Sequence, residues 1–320
     1  MIREITIWIV AVPVLLTAAI LLAGWRPWRR HATTDDTPEK GAWVAALAVA
    51  LSYSAANWGI TGGPTGSDPL NARLLYVAAG GLILGVLEGW SPLPTVARWA
   101  LRVLAAFLAA WLILGPLAAP QKWSAGQTAF WIAVVAGATL VAWSSLDDLA
   151  QRESGSSLAL ALAILGTGGS LVIVFSDLAS TGQLVGALVA ALGVSVLILW
   201  KWPARGRLVS AIPTIALVLV GHFTIGLFYA EMPGLSFALL VVTAPVLLLT
   251  RLRAVTRLTA LVALLLRLLA VGAPVGLAVT TAALKYFEPT PSAADSNTAG
   301  KSGDDKSPSA TGDDDDYGYD

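Results

Sequence analysis

The sequence predicts an all-α membrane protein: a polytopic bundle of about ten transmembrane helices followed by an acidic tail. Three observations carry the prediction. First, ten apolar stretches fill the chain from Ile5 to Phe287. About 20 apolar residues cross a hydrocarbon core of roughly 30 Å as a helix, and with no water there every backbone group must be paired internally. Second, Trp25, Trp28, Trp43, Trp58, Trp90, Trp99, Trp123, Trp143, Trp200 and Trp202 fall at or beside predicted span ends, where tryptophan favours the headgroup level; Trp111 sits deep in a span. Third, the basic residues alternate. The odd-numbered loops hold Arg26, Arg29, Arg30, Lys40, Arg98, Arg152, Lys201, Arg205, Arg207, Arg251, Arg253 and Arg257, whereas the even-numbered loops hold Arg73 and Lys122. An error of one helix would scramble that bias. It predicts cytoplasmic odd loops and exoplasmic termini, in a bacterial inner membrane.

The spans run as follows. Residues 5–25 are too long for a signal-peptide core, lack an A-x-A-like site and are followed, not preceded, by arginines, so they read as a retained helix. Pro13 predicts a kink there. Spans 41–60 and 72–90 lead to a third loop flanked by Glu88 and Arg102, read as a partly exposed ion pair worth about 0–1 kcal/mol. Spans 98–118 and 127–147 follow. The polar segment SSLDDLAQRESGSS, with Asp147, Asp148, Arg152 and Glu153, reads as a solvated loop. Span 156–176 carries Gly166-Thr167-Gly168-Gly169-Ser170 near its middle. A tight turn at Asp177–Ser180 opens span 181–202, and the brevity of that turn implies antiparallel neighbours. Span 208–231 contains Pro213 and His222. Pro233-Gly234 signals the turn into span 234–250, which carries Pro245. Span 258–287 contains Arg267 and Pro274.

After Phe287 the composition changes to Ser, Thr, Asp, Gly, Ala and Pro, ending in DDDDYGYD. Residues 1–287 therefore form the helical domain. Residues 288–320 lack the apolar surface that would offset ordering entropy and are predicted to be disordered.

Composition narrows the chemistry. The chain is 56% hydrophobic and only 12% charged, with no cysteine and two histidines, His31 and His222. Disulfides, iron–sulfur clusters and thiolate metal sites are excluded, and haem or multi-histidine sites are disfavoured. No Walker A, G-x-S-x-G or H-E-x-x-H motif occurs. No nucleic-acid module is present, and no cofactor is implied. An intramembrane enzyme would need a cluster of acids, bases or ligands that the sequence does not offer.

The candidate substrate-binding residues are Gly166, Thr167, Gly168, Gly169, Ser170, His222 and Arg267. The glycines would weaken span six near the midplane, as in transporters built on broken helices. Pro13 would interrupt span one correspondingly, as in a five-plus-five inverted repeat. His222 could relay protons or bond across helices. Arg267, about ten residues into its span, lies roughly 15 Å deep; the competing reading has it snorkelling to the surface. Against the glycine site stands close packing, because small residues let helices approach. Gly81-Gly85-Gly89, Gly182-Gly186 and Gly272-Gly276 repeat every four residues and offer faces to membrane-protein partners. The acidic tail suits a basic exoplasmic partner.

These features predict a permease or flippase for a small or lipid-linked substrate. The alternatives are a non-catalytic membrane subunit or scaffold of an envelope complex, and an intramembrane enzyme. A polar cavity at the midplane would mark transport. A solid bundle with small-residue grooves on its outer face would mark a scaffold.

Overall fold

A computed structural model describes residues 6–26, 41, 43–64, 68–90, 93–118, 122–203, 208–250 and 260–288. Among the described residues ten helices follow one another from Ile7 to Phe287. The predicted tail lies outside the described residues, as do His31 and the basic residues 251–257.

Helix α1 (Ile7–Trp25) opens on a π-turn, Ile7–Ala11, in which Val12 N–H bonds Ile7 O. This wider turn lies directly before Pro13, which has no N–H to give, so the expected kink takes the form of a π-turn. Helix α2 spans Trp43–Thr61. Helix α3 (Pro69–Trp90) begins three residues before its predicted start. Asp68 supplies the N-cap, its Oδ1 accepting from Asn71 N–H at 3.1 Å, and Pro69 occupies the first helical position. Helix α4 (Thr95–Leu114) starts after Pro94 and tightens into a 3₁₀ turn at Gly115–Ala118.

Helix α5 (Ala125–Arg152) starts in a capping box, Ser124 with Gln127, and runs five residues past its predicted end. The supposed loop Asp147–Arg152 is therefore helical. Helix α6 (Gly155–Val174) and helix α7 (Ala179–Lys201) meet in a turn where Asp177 has φ 61°. A 3₁₀ turn, Val209–Ala211, leads into helix α8 (Ile212–Tyr229). Pro213 sits in the first turn of α8 and so does not kink it. Helix α9 (Gly234–Leu249) contains Pro245, and helix α10 (Ala260–Phe287) contains Pro274. Nine of these helices are long and apolar enough to cross a membrane; α9 is shorter.

The helices alternate in direction, so the first, third, fifth, seventh and ninth connections share one end of the bundle, the odd end. The others share the even end. Helix α8 is the axis: 89% of its membrane window is buried, against 17% for α1 and 22% for α10. It packs chiefly on α3 and α5, while α6 and α7 pack along each other. Glycines close these contacts. A Cβ on Gly81 would lie 2.6 Å from the Thr214 Cα, and one on Gly85 would strike the Ser210 carbonyl oxygen. Gly272 and Gly276, by contrast, face open space. Trp90, Trp200 and Trp58 project outward as expected, but Trp143 is 1% exposed, because the extension of α5 draws it into the core.

Candidate functional site

The glycine segment of α6 is an intact helix. Each glycine receives a different neighbour: Gly166 meets Val189 of α7, Gly168 meets Val275 of α10, and Gly169 meets Phe223 of α8. The hydroxyls are spent locally, Thr167 Oγ1 on Ala163 O at 2.8 Å and Ser170 Oγ on Gly182 O of α7 at 2.7 Å. No broken backbone is left to meet a substrate. Packing on three sides holds a segment whose intrinsic propensity is poor.

Arg267 is not at the midplane. It lies about two turns into α10, with its side chain drawn to the odd end. There Nη2 donates to Glu153 Oε1 at 2.9 Å, beside Ser157. The surrounding void of about 20 Å³ holds no more than a water or so. Neither Arg267 nor the glycine segment joins His222 in one site. Phe223 abuts Gly169, but the residue before it, His222, points elsewhere, toward Tyr53 of α2.

His222 is fully buried about ten residues into α8, and Tyr53 is fully buried about ten residues into α2. Both helices start at the odd end, so at 1.5 Å per residue both side chains lie about 15 Å in, level with each other. Tyr53 Oη is 3.3 Å from His222 Nε2, and His222 Nδ1 is 2.8 Å from Val218 O. A carbonyl only accepts, so Nδ1 carries the hydrogen. Nε2 is then bare and accepts the Tyr53 hydroxyl.

From Tyr53 a chain of polar groups runs to the even end. Asn57 Nδ2 donates to Tyr53 Oη at 3.2 Å and to Asn71 O at 3.0 Å, while Asn57 Oδ1 accepts from Thr61 at 3.0 Å. Asn71 Nδ2 donates to Thr181 Oγ1 of α7 at 3.1 Å and to Asp68 Oδ2 at 2.6 Å. Asp68 is half-buried and heads the chain. On the odd side the line continues along α8 at four-residue steps. Val218 gives its carbonyl, Thr214 Oγ1 is buried without a hydrogen-bond partner among the described residues, and Ser210 Oγ accepts from Ala46 N at 3.3 Å. The result is a polar seam through the bundle between α2, α3, α7 and α8. It is closed: from Asp68 to His222 its groups bond one another directly, and on the odd side Gly81 and Gly85 press α3 onto Thr214 and Ser210.

Sequence reasoning missed Tyr53, Asn57, Asn71, Thr181 and Asp68. The signal was present: Tyr53-Asn57-Thr61 and Ser210-Thr214-His222 repeat at multiples of four on otherwise apolar helices, which aligns each set on one face.

A second polar cluster lies at the odd end. Arg102 forms a fork with Glu88 (2.8 and 2.6 Å) and reaches Asp147 Oδ2 at 3.0 Å. The Arg102 and Glu88 side chains are 5% and 6% exposed, so the pair is buried rather than partly exposed as expected. Trp143 and Trp99 flank the guanidinium at 5.3 and 5.8 Å. Among the described residues no group of three histidines or acids could hold a metal ion.

On the outer face, α3 and α4 leave an apolar groove of about 200 Å³, with Gly80 and Ala105 in its lining and Leu217 of α8 reaching it.

The fold defines a multi-pass helical membrane protein. No family model, curated protein or solved structure matches the chain.

Proposed function

We propose that the chain is a permease- or flippase-type transporter of a bacterial inner membrane, and that the polar seam is its substrate path in a closed state. The observation that carries this reading is the seam itself. Ionisable and amide side chains are costly inside a bilayer and are kept where they face a partner, a cavity or a substrate. A bundle held only by packing has no use for a column reaching from Asp68 through His222 to Ser210. The site therefore moves from the glycines of α6 to the faces of α2, α3, α7 and α8, and His222 is the predicted residue it retains. The charge bias supports cytoplasmic odd connections, exoplasmic termini and an exoplasmic tail available to a basic partner.

One observation favours the second reading, a scaffold. The middle of the bundle is shut rather than hollow, and the α3–α4 groove and the Gly272–Gly276 face are open to the outside.

Single cysteines separate the two, since the chain has none of its own. We expect a membrane-impermeant thiol reagent to label cysteines at 57, 210 and 214, with Lys122→Cys labelled from outside intact cells and Trp202→Cys protected from that side. Complete protection at all three seam positions from both sides overturns the transport reading in favour of the scaffold.

A further inference from the structure

We propose that His222 is the proton-binding site of this path, and that proton uptake at its Nε2 unlatches α2 from α8. The inference rests on the transport reading and names the ion that drives it.

The latch is directional. Asn57 N–H points at the Tyr53 oxygen, the Tyr53 O–H points at His222 Nε2, and His222 Nδ1–H points at Val218 O. A proton entering at Nε2 forms one N–H bond and breaks no covalent bond. It turns the acceptor of the latch into a donor. The Tyr53 oxygen then faces two donors, imidazolium Nε2–H and Asn57 N–H, while its own hydrogen loses its acceptor. Asn57 cannot relieve it without a loss of its own: turning Oδ1 toward the Tyr53 hydroxyl would take its amide off Asn71 O. The Tyr53 hydroxyl hydrogen is then buried without an acceptor, and finding one requires α2 to shift against α8 and α3. Buried networks of this kind are rigid while every member is satisfied and fail when one reverses.

Among the described residues nothing else at this level competes for the proton. Helices α6 and α9, packed on α8, contain no ionisable side chain. Helix α7 has only Lys201, at the odd end. From α3, Arg73 is engaged with Leu112 O, Tyr76 faces outward and Glu88 is at the odd end. From α4 and α5, Arg98, Arg102, Asp147, Asp148 and Arg152 also lie toward the odd end. On α8 itself, Tyr229 is at the even end, bonded to Ile113 O. The route in is the even end, where half-buried Asp68 heads the chain that leads through Asn71 and Asn57.

The test uses Thr214→Cys on the far side of the latch, at a hydroxyl that has no partner to lose. Its labelling rate by an impermeant thiol reagent is divided by that of an exposed Lys122→Cys in the same buffer, which corrects for the reagent, and the same cysteine in the His222→Gln background corrects for its own thiol ionisation. Between roughly pH 8 and pH 4, a range that spans the charge change of exposed and buried histidines alike, we expect this ratio to rise about tenfold. His222→Gln should abolish the rise. Tyr53→Phe, which removes the latch hydroxyl, should give a high ratio at every pH. In His31→Gln protein, where His222 is the sole imidazole, ¹⁵N spectra should show the Nδ1–H tautomer at high pH and a second N–H appearing as the ratio climbs. A ratio that rises equally in His222→Gln, or stays flat in the parent while the path labels, overturns the proton site and spares the transport reading. Protection of Thr214→Cys at every pH, together with protection at 57 and 210, overturns the transport reading itself.

Discussion

Arg102 shows how one cation can hold three helices. It brings α4 to Glu88 of α3 and to Asp147 of α5, and at 4% exposure its charges interact with little screening. Removing one partner from a buried pair leaves the rest uncompensated, typically at a cost of about 3–5 kcal/mol. Arg102→Gln should therefore destabilise the protein by that order in denaturant unfolding of the detergent-solubilised chain. Asp147→Asn should cost clearly less, because Glu88 stays forked to Arg102. Asp148 and Arg152 are paired at 3.0 Å but lie 38% and 64% exposed, so breaking them should change stability by no more than a few tenths of a kcal/mol. Equal losses in all three variants would contradict this account. The Glu88–Arg102 pair was legible in the sequence because both residues flank one loop. Asp147 was not, because hydropathy ended α5 too early: charged residues in the last turns of a helix look like a loop when only apolar runs are counted. His222 stood out as an ionisable residue in an apolar span, yet its partner Tyr53 counts as hydrophobic in composition, and its four-residue spacing to Asn57 and Thr61 does not show in hydropathy.

At the scale of elements, glycine has two opposite meanings. In α6 it fills a contact that nothing larger fits, since Gly168 and Gly169 abut Val275 and Phe223. In α3, Gly80 has nothing within 4 Å of where a Cβ would stand. The same substitution should therefore change sign. Gly169→Ala should destabilise by about 1–3 kcal/mol through overpacking. Gly80→Ala should be neutral or stabilise by up to about 1 kcal/mol, the helix-propensity gain. Thermal unfolding of the two variants in one detergent checks the contrast. From sequence alone the Gly-rich run in α6 and the interruption at Pro13 read as two broken helices. Only the second leaves a mark on the backbone, and it does so because proline removes a hydrogen bond whereas glycine merely weakens a preference. In hydrocarbon the backbone has no competing partner, so a glycine-rich segment stays helical.

At the scale of the whole molecule, helix number and order were legible because hydropathy, tryptophan placement and charge alternation are separate signals that agreed. The spans differ from the observed helices mostly at their ends, where caps decide. Asp68 and Ser124 advanced the starts of α3 and α5, and neither cap is visible in a hydropathy count. What could not be read was which faces meet. That depends on the directions of ten helices at once, and it is why the contact of Tyr53 with His222 between α2 and α8 was not foreseen.

The shortest helix sets a further condition. At 16 residues, α9 is about 24 Å long against a hydrocarbon thickness of roughly 30 Å. Leu235, Val242 and Leu249 mark an exposed stripe from its first turn to its last, so the shortfall is presented to lipid. A span this short is met by local thinning of the bilayer, by snorkelling flanks or by association, and the exposed stripe leads us to expect thinning beside α9. Hydrophobic mismatch of this kind costs fractions of a kcal/mol per Å, enough to gather short-chain lipids along one flank. Unfolding temperature measured across phosphatidylcholines of increasing acyl length should peak at a chain shorter than the longer helices alone would choose. Inserting two leucines after Leu248 should move that peak to longer chains; an unmoved peak would mean that α9 meets protein, not lipid, in the membrane.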